Sequence, residues 1–201
     1  MRLFPAAALV LAAAVLNAQG PTNAQGPPPV LRPSPDFTVR LMDGNHLSLS
    51  SLRGKVVALL FVHTTCPHCQ HASQIFSKLF TEYGARGFQP IDVAFNPMAN
   101  LYVKDFVTQN NVSYPVGFSP PEDVLNYLGI PVVQRYVVPQ IAWIDRKGNI
   151  RSQTTPMGEE KYLQESYWRS MIEALTKESV SEPARKTPAH RTTSAKKSPS
   201  A

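Results

Sequence analysis

The nine residues His63-Thr64-Thr65-Cys66-Pro67-His68-Cys69-Gln70-His71 hold three histidines and the only two cysteines of a 201-residue chain. Thiols and imidazoles at this density suit three chemistries: a metal site, a structural disulfide, or a redox-active dithiol. A bridge between cysteines three apart closes a very short loop and removes little entropy from the unfolded chain, so stapling is a poor reason for the spacing. The metal reading takes Cys66 and Cys69 with some of His63, His68 and His71 as ligands, and makes the chain a copper or zinc binding or delivery protein. The redox reading needs only the two cysteines and a means of favouring the thiolate of one.

The flanking sequence supplies that means. Lys55 to His63, KVVALLFVH, is a continuous apolar and β-branched run suited to a strand buried on both faces. Beyond Cys66, the residues Cys69, Ala72, Ile75, Phe76, Leu79, Phe80 and Tyr83 recur at helical spacing, with Gly84 and Gly87 as stop signals. Cys66 therefore opens a helix, and Pro67 takes the first helical position, where its missing N–H costs nothing. Free N–H groups and the macrodipole at that end favour an anion, so the Cys66 thiolate is expected to be stabilised there. Cys69 lies one turn on, placed to close a disulfide with Cys66. His68, protonated or donating, adds to the same effect.

The remaining pattern positions this centre. A hairpin is expected around Asp43-Gly44-Asn45, and a second buried strand over Phe88 to Phe95. Helices are expected over Ala99 to Asn110, and from Pro120-Pro121-Glu122-Asp123 through Leu128. Tyr136 to Asp145 forms a third strand that turns through Arg146-Lys147-Gly148-Asn149 into IRSQT, and a last helix spans Glu159 to Lys177. Strands alternating with helices imply an α/β domain with a parallel core, to which the terminal hairpin adds an antiparallel edge.

The ends read differently. Met1-Arg2 followed by the 13 apolar residues Phe4 to Leu16 has the form of an export signal, with cleavage at Ala18 or as late as Ala24. A membrane-spanning helix needs about 20 residues, so a cleaved signal is favoured over an uncleaved anchor. Residues 19–35 form a Pro/Gly-rich linker, 36–178 the folded domain, and 179–201 a basic disordered tail. From Val180 the tail carries five Lys/Arg against one Glu, most of the chain's formal net charge of +6. That charge suits weak contact with anionic envelope surfaces; an exported chain is not expected to meet nucleic acid.

The segments PDFTVRLMDGNHLSLSSLRGKVVALLFVHTTCPHC and VVPQIAWIDRKGNI resemble the exported thioredoxin-like proteins of the TlpA and ResA type, within the alkyl hydroperoxide reductase and thiol-specific antioxidant superfamily. The resemblance covers almost all of residues 35 to 177. It implies a thioredoxin fold, a central mixed sheet flanked by helices, with an N-terminal β-hairpin extension. It implies an enzyme, a thiol-disulfide oxidoreductase, exported to the periplasm or secreted. Cys66 then matches the nucleophile and Cys69 the resolving cysteine of a Cys66–Cys69 disulfide. Pro139 matches the family's cis-proline, and Val138 would offer backbone groups to an extended substrate segment. Partners would be protein dithiols or disulfides and a membrane or periplasmic redox partner, with no cofactor and no metal.

Three departures stand out. Thioredoxin has a buried Asp six residues before the first cysteine, where this chain has Leu60. The ResA type has a Glu three residues after the second cysteine, where this chain has Ala72. Asp92, His63 and His71 are the candidates to deprotonate Cys69 in their place. Between Gly129 and Pro139, IPVVQ has the look of an insertion beside the site.

Pro67-His68 is the dipeptide of the strongly oxidising protein DsbA, whose couple and that of thioredoxin lie about 150 mV, or ~7 kcal/mol, apart. That favours an oxidant or isomerase over a reductant, although TlpA-like proteins commonly reduce. A peroxiredoxin-type peroxidase needs Pro and Thr or Ser seven and three residues before its cysteine; Leu59 and His63 stand there instead.

Overall fold

The structure is a computed structural model, and it describes residues 30–178. The signal-like segment, most of the linker and the basic tail lie outside the described residues. Eight strands form one sheet: β1 (Arg32–Pro33), β2 (Thr38–Leu41), β3 (His46–Ser48), β4 (Val56–Val62), β5 (Phe88–Ala94), β6 (Val116–Phe118), β7 (Gln140–Ile144) and β8 (Asn149–Gln153). Among the described residues four α-helices accompany them: α1 (Pro67–Tyr83), α2 (Ala99–Asn110), α3 (Pro121–Leu128) and α4 (Glu165–Lys177). The sheet order is β1-β8-β7-β4-β5-β6-β2-β3.

The core is parallel where strands are joined through helices: β4 pairs with β5 and β5 with β6. β7 runs antiparallel to β4, and β7 and β8 are antiparallel in turn, so the sheet is mixed. Every residue of β4, β5 and β7 is buried, as a strand covered on both faces requires; β4 is apolar throughout, whereas β5 buries Gln89 and Asp92 and β7 buries Gln140. Alternation divides the core. Val56, Ala58, Leu60 and Val62 face α1, α2 and α4, whereas Val57, Leu59 and Phe61 face α3 and the N-terminal hairpin. On the first face Phe76 and Trp168 pack with ring centroids 4.6 Å apart, above Phe88 and Trp143.

Several boundaries differ from expectation. Residues 30–35, read as the end of the linker, are held to the domain, with Arg32 paired to Ile150 and Pro33 to Asn149. β1 therefore covers β8, and the terminal hairpin is not an edge. The N-terminal hairpin continues the sheet instead, through antiparallel pairing of β2 with β6. The last helix starts at Glu165; Glu160–Leu163 form a 3-10 turn before it, separated from it by the extended Gln164. α1 ends at Tyr83 with Gly84 still right-handed, and the reversal falls at Gly87, whose φ is 88°.

Candidate active site

Cys66 lies where β4 gives way to α1, and three hydrogen bonds fix that joint. The Cys66 amide donates to the His63 carbonyl (3.1 Å), the Thr64 amide to Asn96 Oδ1 (2.9 Å), and Gln70 Nε2 to the Thr64 carbonyl (3.0 Å). Cys66 is the extended residue before the helix, Pro67 occupies its first turn, and the Gln70 amide closes the first helical bond on the Cys66 carbonyl. Chain direction alone thus delivers one thiol to the N-terminus of a 17-residue helix.

Cys66 and Cys69 stand at the start and one turn into α1 without a bond between them. Their surroundings differ sharply: Cys66 is half-buried, whereas Cys69 is fully buried. Burial, above all, pushes the Cys69 thiol well above the usual range, and the charges of Cys66 and Asp92 push the same way. A hydrogen bond from the His63 backbone only partly opposes them. An attacking group must therefore meet Cys66 first.

The Val138–Pro139 peptide is cis, and the Val138 carbonyl oxygen lies 3.9 Å from Cys66 Sγ. Gln140, completely buried at the start of β7, ties this segment down. Its Nε2 donates to the carbonyls of Val137 (2.8 Å), Thr155 (3.2 Å) and Pro156 (3.2 Å), and its Oε1 accepts from Thr154 Oγ1 (2.6 Å). A groove of about 60 Å³ lined by His68, His71, Ala72, Pro139, Leu163 and Trp168 runs beside it. In the IPVVQ segment between Gly129 and Pro139, Ile130 is buried while Val132 and Val133 are 77 % and 96 % accessible.

The histidines scatter. His68 and His71 are exposed, while the His63 ring turns to the opposite face of the sheet and packs edge-on against Phe95 at 4.6 Å. Burial holds the His63 imidazole below its ordinary pKa. Among the described residues no group of three or more His, Cys, Asp or Glu is arranged to hold a metal ion.

The carboxylate candidate behaves otherwise. Asp92 on β5 is completely buried, and alternation turns it to the face that holds Cys69. Its Oδ2 accepts from Ser73 Oγ (2.6 Å) and its Oδ1 from Tyr114 Oη (3.0 Å). Burial raises its pKa to about 7, against the two hydrogen bonds. Ser73, Tyr114, Gln140 and Thr154 were not singled out from sequence. Ser73 alone had a usable signal, one turn beyond Cys69 on the same helical face.

The comparisons with known proteins agree with this architecture. The chain is 25% identical over 122 residues to the thiol-disulfide oxidoreductase ResA of Bacillus thuringiensis (strain Al Hakam), covering 61% of this chain and 67% of that protein. It is 32% identical over 95 residues to the ResA protein of Halalkalibacterium halodurans, covering 47% and 53%. A thiol:disulfide interchange protein of the thioredoxin family from Chlorobium tepidum superposes with a TM-score of 0.60 at 23% identity, over 76% of this chain and 99% of that one, a likeness of fold. The sequence model of the Redoxin family matches residues 30–167, from β1 into α4, so the chain belongs to the Redoxin family as a thioredoxin-fold thiol-disulfide oxidoreductase of the ResA type.

Proposed function

We propose that the chain exchanges its Cys66–Cys69 dithiol/disulfide with protein substrates in the cell envelope, as an oxidant or isomerase ahead of a reductant. One observation carries the reading: a half-buried Cys66 at the start of α1, 3.9 Å from the Val138 carbonyl, with Cys69 buried one turn below. A substrate strand laid along the Val138 backbone edge brings its sulfur to Cys66. Cys66 and the substrate form a mixed disulfide, and Cys69 resolves it. The thiols carry the whole two-electron exchange, so no cofactor enters. Pro67 and His68 tune the couple at the helix start.

Export rests on the signal-like first 18 residues together with the resemblance to exported proteins. Among the described residues no helix is long and apolar enough to cross a membrane. A membrane or periplasmic redox protein recycles the pair. The direction is tested by equilibrating the chain with glutathione buffers and counting alkylated thiols. A couple well above thioredoxin's, which is about −270 mV, is expected, and a thioredoxin-like value would assign the reductant role.

A further inference from the structure

Resolution of a mixed disulfide needs the Cys69 proton to go somewhere, and burial makes that proton hard to remove. Six residues before Cys66 stands Leu60 and three after Cys69 stands Ala72, so neither of these positions on β4 and α1 offers a carboxylate to Cys69. Across the parallel β4–β5 ladder, the residue in register with Leu60 is Asp92. Both project toward α1, so a carboxylate stands at the same height and on the same face as Leu60, one strand away. We propose that Asp92, held by Ser73 and Tyr114, accepts the Cys69 proton during resolution and returns it in the reverse step. The inference rests on the oxidoreductase reading and adds the proton's destination.

The hydrogen bonds around Asp92 can be satisfied in either protonation state. When the carboxyl is ionised, Ser73 Oγ and Tyr114 Oη both donate to it. When it is protonated, its own O–H can donate to Ser73 Oγ, whose proton then turns to the Cys69 carbonyl 3.0 Å away. Tyr114 Oη has a second acceptor in the Ser73 carbonyl at 3.4 Å. A network with spare acceptors takes up a proton without stranding a buried polar group.

The ionisable surroundings are sparse. β4 sets Leu60 opposite Asp92, β6 sets Val116 opposite it, and α2 adds Val103 and Phe106 to the same core. α1 brings Cys69 and Ser73, and the chain before β6 brings Tyr114. Among the described residues no cation acts on Asp92; burial dominates its equilibrium and brings the carboxyl to about 7, within reach of both states. Burial also holds the Tyr114 phenol well above its ordinary pKa, so it stays a donor.

The step balances. With Cys66 joined to a substrate sulfur, Cys69–SH passes its proton to the Asp92 carboxylate, and the Cys69 thiolate attacks Cys66 Sγ. The Cys66–Cys69 bond forms, and the substrate sulfur leaves as a thiolate with the electron pair of the broken bond. Two electrons have then passed from the dithiol to the substrate. In reverse, Cys69 leaves as thiolate and takes the proton back from Asp92.

The test separates the two sulfur steps. The reduced full chain is mixed with a chromogenic aryl disulfide, dithiobis(nitrobenzoate), and two thiolate releases are followed by stopped flow across pH. The first reports attack by Cys66, the second resolution by Cys69. The second rate is expected to step with a midpoint near pH 7. Asp92→Asn should slow it about tenfold or more and remove the step, leaving the first rate unchanged. Ser73→Ala and Tyr114→Phe each keep the carboxyl but remove a donor to its ionised form, so the step should move to higher pH. A wild-type profile without a step between about pH 6 and 8, or a second release unchanged in Asp92→Asn, overturns the proposal while leaving the oxidoreductase reading intact. A wild-type chain that gives no second release at all sinks both.

Discussion

The Cys66 sulfur and the Val138 carbonyl oxygen lie 3.9 Å apart, across the gap between the start of α1 and the strand that opens after Pro139. One belongs to the β4–α1 joint and the other to the entry of β7, two segments brought together because β4 and β7 are sheet neighbours. A sulfur beside an extended backbone edge is what exchange with another chain requires, since the incoming segment is positioned by main-chain hydrogen bonds while its sulfur meets the thiol. The second thiol lies beneath, out of contact with solvent.

That asymmetry gives the first prediction. With Cys69→Ser, attack by Cys66 is unchanged but resolution is lost, so a stable mixed disulfide should accumulate with oxidised insulin. Cys66→Ser should trap almost none, because the remaining thiol is fully buried. Non-reducing electrophoresis with mass mapping of the linked cysteine checks both, and equal trapping by the two variants would show that Cys69 is reached directly.

Asp92 makes a prediction about stability that does not involve turnover. Its carboxyl is raised from 3.8 to about 7 in the folded chain, so the folded state binds this proton more tightly than the unfolded state. The stability it contributes is complete below about pH 4 and is lost as pH rises through about 7, on the order of 4 kcal/mol in all. Asp92→Asn keeps the shape and stays neutral. Urea denaturation should therefore show the variant gaining on the wild type from about pH 4 to 7 and then holding a constant lead. A difference independent of pH would mean that the folded carboxyl titrates at its ordinary value.

The elements that the sequence made legible are those whose pattern is local. The charge-free run before Cys66 is β4, the seven residues at helical spacing after it mark α1, and the Ala99–Asn110 helix has the limits its periodicity suggests. What escaped is made by neighbours. Arg32–Pro33 is a strand because Ile150 and Asn149 pair with it, and Val116–Phe118 is a strand because it lies between β5 and β2. Neither has a propensity signal, since three residues centred on a glycine do not announce a strand. Site residues follow the same division. Cys66 and Cys69 are set by one helix turn, whereas the place of Asp92 depends on β5 lying beside β4, which periodicity does not specify. The sequence places His63 at the end of the buried strand, but only the strand's alternation shows that its ring turns to the other face of the sheet, against Phe95.

Gln140 tests how firmly the Val138 edge is held. Its buried amide donates to three carbonyls and accepts from Thr154 Oγ1; a hydrophobic isostere takes the side-chain donor from the Val137 carbonyl and the acceptor from the Thr154 hydroxyl, while the Thr155 and Pro156 carbonyls keep the Gly158 and Val137 amides. Gln140→Leu should cost about 1–3 kcal/mol. It should also speed hydrogen exchange at the Val137 amide, which bonds to the Pro156 carbonyl at 2.9 Å in the segment that Gln140 holds. Loss of stability with unchanged exchange at Val137 would confine Gln140 to packing.

The attachment of the N-terminal hairpin turns on Gly117. This residue of β6 lies against β2 so closely that an added Cβ would meet the Arg40 carbonyl and the Val39 side chain. The obstacle is backbone on one side and a buried valine on the other, so neither can swing away cheaply. Gly117→Ala should push β2 off β6 and destabilise the chain by about 1–3 kcal/mol. On the other side of Gly117, β6 pairs with β5 through the register that places Val116 opposite Asp92. The hairpin, however, packs on the face away from α1, with Phe37, Val39 and Leu49 against Leu59 and Phe61. Cys66 lies on the α1 side, so its rate of reaction with dithiobis(nitrobenzoate) should stay at the wild-type value while the urea midpoint falls. A matching fall in Cys66 reactivity would show that the hairpin edge supports the redox centre as well as the sheet.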